Sequence, residues 1–253
     1  MLIVLYTALG VGGATVVGAL LGFLFKKPSH RFHDITLSLA AGVMLAASVL
    51  SLIIPSLDYG GKWGFLITIV GVMCGALCIN LLDKLVPHLH NLSGTDGEVH
   101  PDRQANLHKV LLFVLAIAIH NLPEGLAAGV SFGTGNHEAA FTVAGSIALQ
   151  NIPEGMVIIA PMLAAGIRPG KTFLLALITG FVEVLGTLIG YFAVSITSAV
   201  LPFALAFAGG TMLYVISDEM IPETHAHGSE RGATYSLLIG FCLMLVLDSL
   251  IGA

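Results

Sequence analysis

His120-Asn121-Leu122-Pro123-Glu124-Gly125 and, further along, Gln150-Asn151-Ile152-Pro153-Glu154-Gly155 are two versions of one six-residue pattern, each set inside an apolar run. A carboxylate in the middle of a lipid-crossing helix costs roughly 2.5–3.5 kcal/mol on insertion scales, so it is a functional residue by default. Positions i, i+3 and i+4 of a helix share a face. His120, Asn121 and Glu124 therefore point one way, as do Gln150, Asn151 and Glu154. Each proline lacks an N–H and crowds the carbonyl four residues back, at Ile119 and Leu149, which predicts a kink in both helices at the polar cluster. Irregular backbone at membrane depth is tolerated only inside protein or beside a water-filled cavity. Imidazole, carboxylate and amide oxygens gathered there make a candidate divalent-cation site. Gly133-Thr134-Gly135-Asn136 turns the chain between the hexads. Legs of about eight and about twelve residues, at 1.5 Å each, put both hexads near the middle of a ~30 Å core on antiparallel neighbours. Hydrogen bonding between helices accounts for Gln150 or Asn151 alone, but not for two ionisable carboxylates.

The chain has 253 residues, of which 56% are hydrophobic and 10% charged, with mean hydropathy +0.95. That composition excludes a soluble domain and indicates an all-α polytopic membrane protein. Eight segments are long enough to span, at about 2–25, 35–57, 63–86, 109–132, 138–163, 170–194, 198–219 and 233–251, forming one transmembrane domain over 1–253. The first lacks a positive leader and runs into Lys26-Lys27, which reads as a true span and not a cleaved signal peptide. Lys26, Lys27, Arg31, Lys84, Arg103, Lys109, Arg168, Lys171 and Arg231 fall on one face, and only Lys62 on the other. The positive-inside rule makes the first face cytoplasmic and leaves both termini outside, in a cell (inner) membrane. Cys74, Cys78 and Cys242 all lie in apolar runs, where packing as small core residues is the expectation and no disulfide framework forms.

The longest loop, about 87–108, carries His88, His90, His100 and His108 with Asp96, Glu98 and Asp102. Mixed His and carboxylate tracts can capture metal, although a solvated loop explains any single histidine. Glu219, Glu223, His225 and His227 form a second cytoplasmic cluster at the end of segment seven. Glu183 is a third mid-span carboxylate and a natural third wall of ligands, and Gly186 and Gly190 beside it let another helix approach closely. Asp58 ends segment two, either gathering cations or capping the interface. Met44 and Ser51 are packing residues unless segment two lines a pathway, and Asp248 reads as an interfacial charge.

Together these residues resemble the signature of the ZIP (Zrt/Irt-like) metal transporters, closest to the prokaryotic GufA-like branch. Besides the hexads, Ala41-Gly42-Val43-Met44-Leu45-Ala46-Ala47-Ser48 and Ser217-Asp218-Glu219-Met220-Ile221-Pro222-Glu223-Thr224-His225 match that branch. The resemblance implies transport of zinc and related divalent ions (Cd²⁺, Fe²⁺, Mn²⁺) into the cytosol, with no enzymatic activity. It implies eight helices in a 3+2+3 arrangement, spans one to three and six to eight being an inverted repeat around spans four and five, and an elevator-type movement. It implies a two-metal cluster. His120, Glu124, Gln150 and Glu154 hold one metal; Asn121, Glu124, Asn151, Glu154 and Glu183 hold the other. Met44 and Ser51 become pathway residues and Asp58 an entrance residue. Asp83, His88, His90, Asp218, Glu219 and His225 fall towards the exit. The partners expected are the metal, the lipid bilayer and, as an option, a second copy in a homodimer; nucleic acid is not among them. Many family members have His where this chain has Gln150, some close relatives Asp at Asn151, and others His at Asp218. Oxygen ligands suit harder ions such as Mn²⁺, while imidazole and carboxylate suit Zn²⁺. Two rivals stand beside the transporter. An intramembrane metalloenzyme typically shows His-Glu-x-x-His, and His120 has no second His on its helix. A proton or cation channel would use the same glutamates and leave His120 and Gln150 incidental.

Overall fold

A computed structural model describes residues 1–24, 29–85, 103–164 and 166–251. Within them the chain is helical, with no strand: α1 (Leu2–Gly22), α2 (His30–Ala47), α3 (Ile54–Tyr59), α4 (Gly64–Leu85), α5 (Arg103–Ser131), α6 (His137–Ala164), α7 (Pro169–Ile196), α8 (Leu201–Val215), α9 (Ile221–Thr224) and α10 (Glu230–Ile251). A π-helical turn, Ser48–Ile53, joins α2 to α3, and another, Ile216–Met220, joins α8 to α9, so each pair is one continuous rod. Among the described residues six rods are long and apolar enough to cross a membrane: α1, α2–α3, α4, α7, α8–α9 and α10. The other two, α5 and α6, have 29 and 28 residues, well beyond the ~20 a crossing needs, and they carry the polar hexads. The protein is thus a multi-pass helical membrane protein.

Apolar faces decide the layering. Only 22% of the α4 span and 22% of the α10 span is buried, against 56% of α2–α3 and 61% of α8–α9. Phe65, Ile69, Met73 and Leu77 on α4, and Tyr235, Ile239 and Val246 on α10, are exposed, as a lipid-facing wall requires. Met44 and Leu52, Ile79, Ala127 and Ala128, Ile147, and Leu205 and Met212 merge into one buried cluster drawn from α2, α4, α5, α6 and α8. The cysteines depart from expectation: Cys74 and Cys242 are exposed and Cys78 half-buried. They sit on the two outermost rods, where an apolar sequence faces lipid and not core.

The helices pair through glycine. α5 packs chiefly on α7, α1 on α6 and on α7, α4 on α8, and α2 on α10. A Cβ on Gly186 would stand 2.6 Å from the Leu122 carbonyl oxygen, and one on Gly190 2.5 Å from that of Leu126, so this predicted small-residue face does seat another helix. The same holds at Gly18 and Gly22 against α6, and at Gly42, Gly75, Gly210 and Gly240 in the outer pairs. Exchanging α1–α4 for α7–α10 and α5 for α6 maps every one of these pairs onto another or onto itself.

The hexad prolines do not break their helices: α5 and α6 run on through Pro123 and Pro153. Among the described residues two spans contain a π turn, each followed directly by Ile-Pro, at Pro55 and Pro222. A proline there removes the donor for the carbonyl four residues back, at Ser51 and Asp218. π turns inside α-helices often mark functional positions.

Candidate functional site

The hexads face each other across α5 and α6 and are closed by α7. Asn121, Glu124, Gln150 and Asn151 are buried, Glu183 is fully buried, and Glu154 is half-buried. Gln150 Nε2 donates to Glu124 Oε1 at 2.6 Å. Asn151 Nδ2 donates to Glu183 Oε1 and, at 3.1 Å, to the Val11 carbonyl of α1. Thr15 Oγ1 of α1 donates to Glu183 Oε2 at 3.1 Å. The three carboxylates lie close enough to repel one another, and His120 is within electrostatic reach of Glu154. Asn121 Oδ1, Glu124 Oε2, Gln150 Oε1 and Asn151 Oδ1 are buried with no hydrogen-bond donor. Buried polar atoms are nearly always paired, so four orphan oxygens on two adjoining helices mark a place for a positive charge. Among the described residues no three His, Cys, Asp or Glu side chains are arranged to hold a metal by themselves. The oxygens of Asn121, Gln150 and Asn151 are the amide groups left uncommitted here.

The last hexad residue has a reason the sequence left unread. A Cβ on Gly125 would overlap the Glu183 carbonyl oxygen of α7, and one on Gly155 the Thr15 carbonyl oxygen of α1. Without a side chain at these points, each hexad helix sits directly against the helix that carries the next site residue.

The remaining expected residues scatter. His120 Nε2 lies 2.8 Å from Glu219 Oε1, tying α5 to the second π turn on the side of the hexads where α5 begins. Asp218 is half-buried on that turn. Of Glu219, Glu223, His225 and His227, expected as one cluster, Glu219, His225 and His227 take separate partners, and Glu223 lies within electrostatic reach of His33 as His227 does. His225 is held by Thr224, the Ile221 carbonyl and Thr234, and His227 Nδ1 meets Asp34 Oδ1 at 3.0 Å. The π turn and the bend after Thr224 turn these side chains to different neighbours. Met44 is buried in the core. Ser51 Oγ donates to Asp248 Oδ1 at 3.4 Å, so Asp248 faces a neighbouring helix and is not a bare interfacial charge. Asp58 is exposed at the end of α3. Asp83 lies on α4, its side chain outside the described residues, as are His88 and His90. One cluster was not foreseen. Asp34, fully buried, lies beside His33 and His227, and the His30 ring stacks on His227 at 4.9 Å. The available signal is in the residues just before segment two, where His30, His33 and Asp34 stand close together.

Fold and site together define a polytopic helical membrane protein with a buried polar centre between adjoining helices. The family model for the ZIP zinc transporter matches residues 90–248. The zinc transporter GufA of Myxococcus xanthus is 42% identical over 98% of this chain and 98% of its own. The zinc transporter ZIPB of Bordetella bronchiseptica is 39% identical over 94% of this chain and 78% of its own. The human zinc transporter ZIP11 is 31% identical over 93% of each. The chain belongs to the ZIP family.

Proposed function

We propose that this protein carries divalent metal cations, zinc foremost, into the cytoplasm through a two-metal site between the hexads. The observation that carries the reading is the set of four buried oxygens without donors, beside Glu154 and Glu183. Relatives named as zinc transporters support the cargo. His120, Glu124, Gln150 and Glu154 take one ion. Asn121, Glu124, Asn151, Glu154 and Glu183 take the other, with the two hexad glutamates bridging. A cation between them offsets the mutual repulsion of Glu124, Glu154 and Glu183. Met44 and Ser51 line the way in from Asp58. Glu219, already joined to His120, is the next oxygen on the inner side, followed by Asp218 and His225, with Asp83, His88 and His90 receiving the released ion. The symmetric pairing of the helices supports the 3+2+3 inverted repeat, with the bundles moving relative to each other in an elevator-type cycle.

Uptake of Zn²⁺ into metal-depleted proteoliposomes, with and without a pH gradient, separates the readings. A carrier accumulates metal saturably. A proton or cation channel dissipates the gradient without metal, and a metalloenzyme moves neither.

The charge asymmetry supports an inner-membrane orientation with both termini outside. In a background with Cys74, Cys78 and Cys242 replaced, cysteine at Gly60 or Asn136 is expected to react with an impermeant maleimide on intact cells, and cysteine at Gly228 only after permeabilisation. Outside labelling at Gly228 inverts the direction of transport.

Gln150 is expected to govern metal choice. Its amide oxygen is a harder, weaker ligand for zinc than imidazole, whose Zn–N bond is about 2.0–2.1 Å. Gln150→His lowers the apparent KM for Zn²⁺ and Cd²⁺ relative to Mn²⁺ in competition uptake, with an equal or lower maximal rate, because a carrier must also release its ion. An unchanged Zn²⁺/Mn²⁺ preference removes Gln150 from the ligand set.

A further inference from the structure

Thr15 is a residue that neither the hexads nor the family match singles out. It lies on α1, 1% exposed, and its hydroxyl reaches Glu183 across 168 positions of chain. The glycine contacts show why the two meet. α1 and α7 cross where Gly12 faces Gly180, a Cβ on Gly180 standing 2.5 Å from the Gly12 carbonyl oxygen. Thr15 and Glu183 lie one turn beyond this crossing on their respective helices.

The same contacts make the two positions equivalent. Gly155 of the second hexad abuts the Thr15 carbonyl and the Ala19 N–H, and Gly125 of the first abuts the Glu183 carbonyl and the Thr187 N–H. Gly18 meets the backbone at Ile152 as Gly186 meets it at Leu122. Each α1 residue here is separated from its α7 counterpart by the offset that separates Thr15 from Glu183. The fold therefore offers one place twice, and the sequence fills it once with a carboxylate and once with a hydroxyl that donates to that carboxylate. Both oxygens of Glu183 are engaged by neutral donors, Oε2 by Thr15 and Oε1 by Asn151.

Resting on the two-metal reading above, we propose that Thr15 is the positioning residue for Glu183 and the source of inequivalence between the two metal positions. Its hydroxyl holds the Glu183 carboxylate towards the hexads, and its lack of charge leaves the α1 side of the centre one carboxylate short. The ion on the α7 side is bound through Glu183; the other has no such wall.

The test is Zn²⁺ uptake in proteoliposomes together with Zn²⁺ stoichiometry on purified protein, for three sets of variants. Thr15→Val keeps the shape and removes the hydroxyl. It is expected to raise the KM for Zn²⁺ about 10–150-fold, the range of a lost hydrogen bond to a charged group, with the melting temperature unchanged. Thr15→Ser restores the hydroxyl and keeps KM within about twofold of the parent, by the same hydrogen-bond scale. Glu183→Thr loses the α7-side ion, and the reciprocal exchange, Thr15→Glu with Glu183→Thr, regains it on the α1 side. Unchanged KM in Thr15→Val, equal impairment in Thr15→Ser, or no recovery of the second ion in the exchange overturns the proposal. Glu124→Ala in the same assay distinguishes the failures: if it binds and transports as the parent does, the two-metal reading fails on its own account, whatever the Thr15 variants show.

Discussion

Glu124→Ala and Glu154→Ala are each expected to abolish Zn²⁺ uptake while leaving the protein folded in the membrane. Each carboxylate is assigned to both ions, so a single truncation damages both positions. The two hold matching places in the hexads on adjoining helices, yet their surroundings differ. Glu124 is buried and takes a 2.6 Å bond from Gln150, whereas Glu154 is half-buried near His120. Glu124→Ala also leaves the Gln150 amide without its acceptor, so its expected loss includes the geometry of the neighbouring ligand. Removing an ion-binding carboxylate need not lower stability, because the parent buries like charges next to one another without metal. Transport at the parental rate with unchanged apparent affinity in either variant contradicts the bridging role.

Gly125→Ala and Gly155→Ala are expected to lower the melting temperature of the detergent-solubilised protein by about 2–12 °C, the scale of a 1–3 kcal/mol overpacking penalty in a chain of this size. Replacing glycine by alanine inside a helix ordinarily stabilises by ~1 kcal/mol. The sign reverses here because the new Cβ meets backbone atoms, the carbonyl oxygens of Glu183 and Thr15, which cannot swing aside as a side chain can. Gly13 and Gly145 serve as controls: nothing lies within 4 Å of a Cβ at either, so alanine there leaves the melting temperature unchanged or raises it. A destabilisation as large at Gly145 as at Gly125 shows that helix separation is not the cause. Uptake should fall with the melting temperature at Gly125 and Gly155, because the same approach sets the distance from each hexad to Glu183 or Thr15.

The sequence exposed the class and the centre of the molecule because both depend on residue type. Long apolar runs announce helices that cross lipid, and Glu124, Glu154 and Glu183 stand out in them because charge there is costly. What it hid depends on which helix lies against which. Thr15 is an ordinary residue in an apolar run until α1 crosses α7 at Gly12 and Gly180. The equivalence of Thr15 and Glu183 could not be seen by matching residue types, since one is a hydroxyl and the other a carboxylate. Glu219, Glu223, His225 and His227 are close in sequence, but the π turn and the bend after Thr224 give Glu219, His225 and His227 separate partners. The cysteines misled for a related reason: hydropathy alone cannot distinguish lipid from protein interior, and Cys74 and Cys242 lie on the outermost rods. The hexad prolines predict kinks at Ile119 and Leu149, whereas the two π turns lie just ahead of Pro55 and Pro222.

The most direct test of the central claim is an anomalous difference map at the zinc edge from crystals of the Zn²⁺-loaded protein. Two peaks are predicted between α5, α6 and α7. One is bounded by His120, Glu124, Gln150 and Glu154; the other by Asn121, Glu124, Asn151, Glu154 and Glu183. Zinc found only at other histidines and carboxylates of the chain, with no anomalous signal between the hexads, contradicts the account.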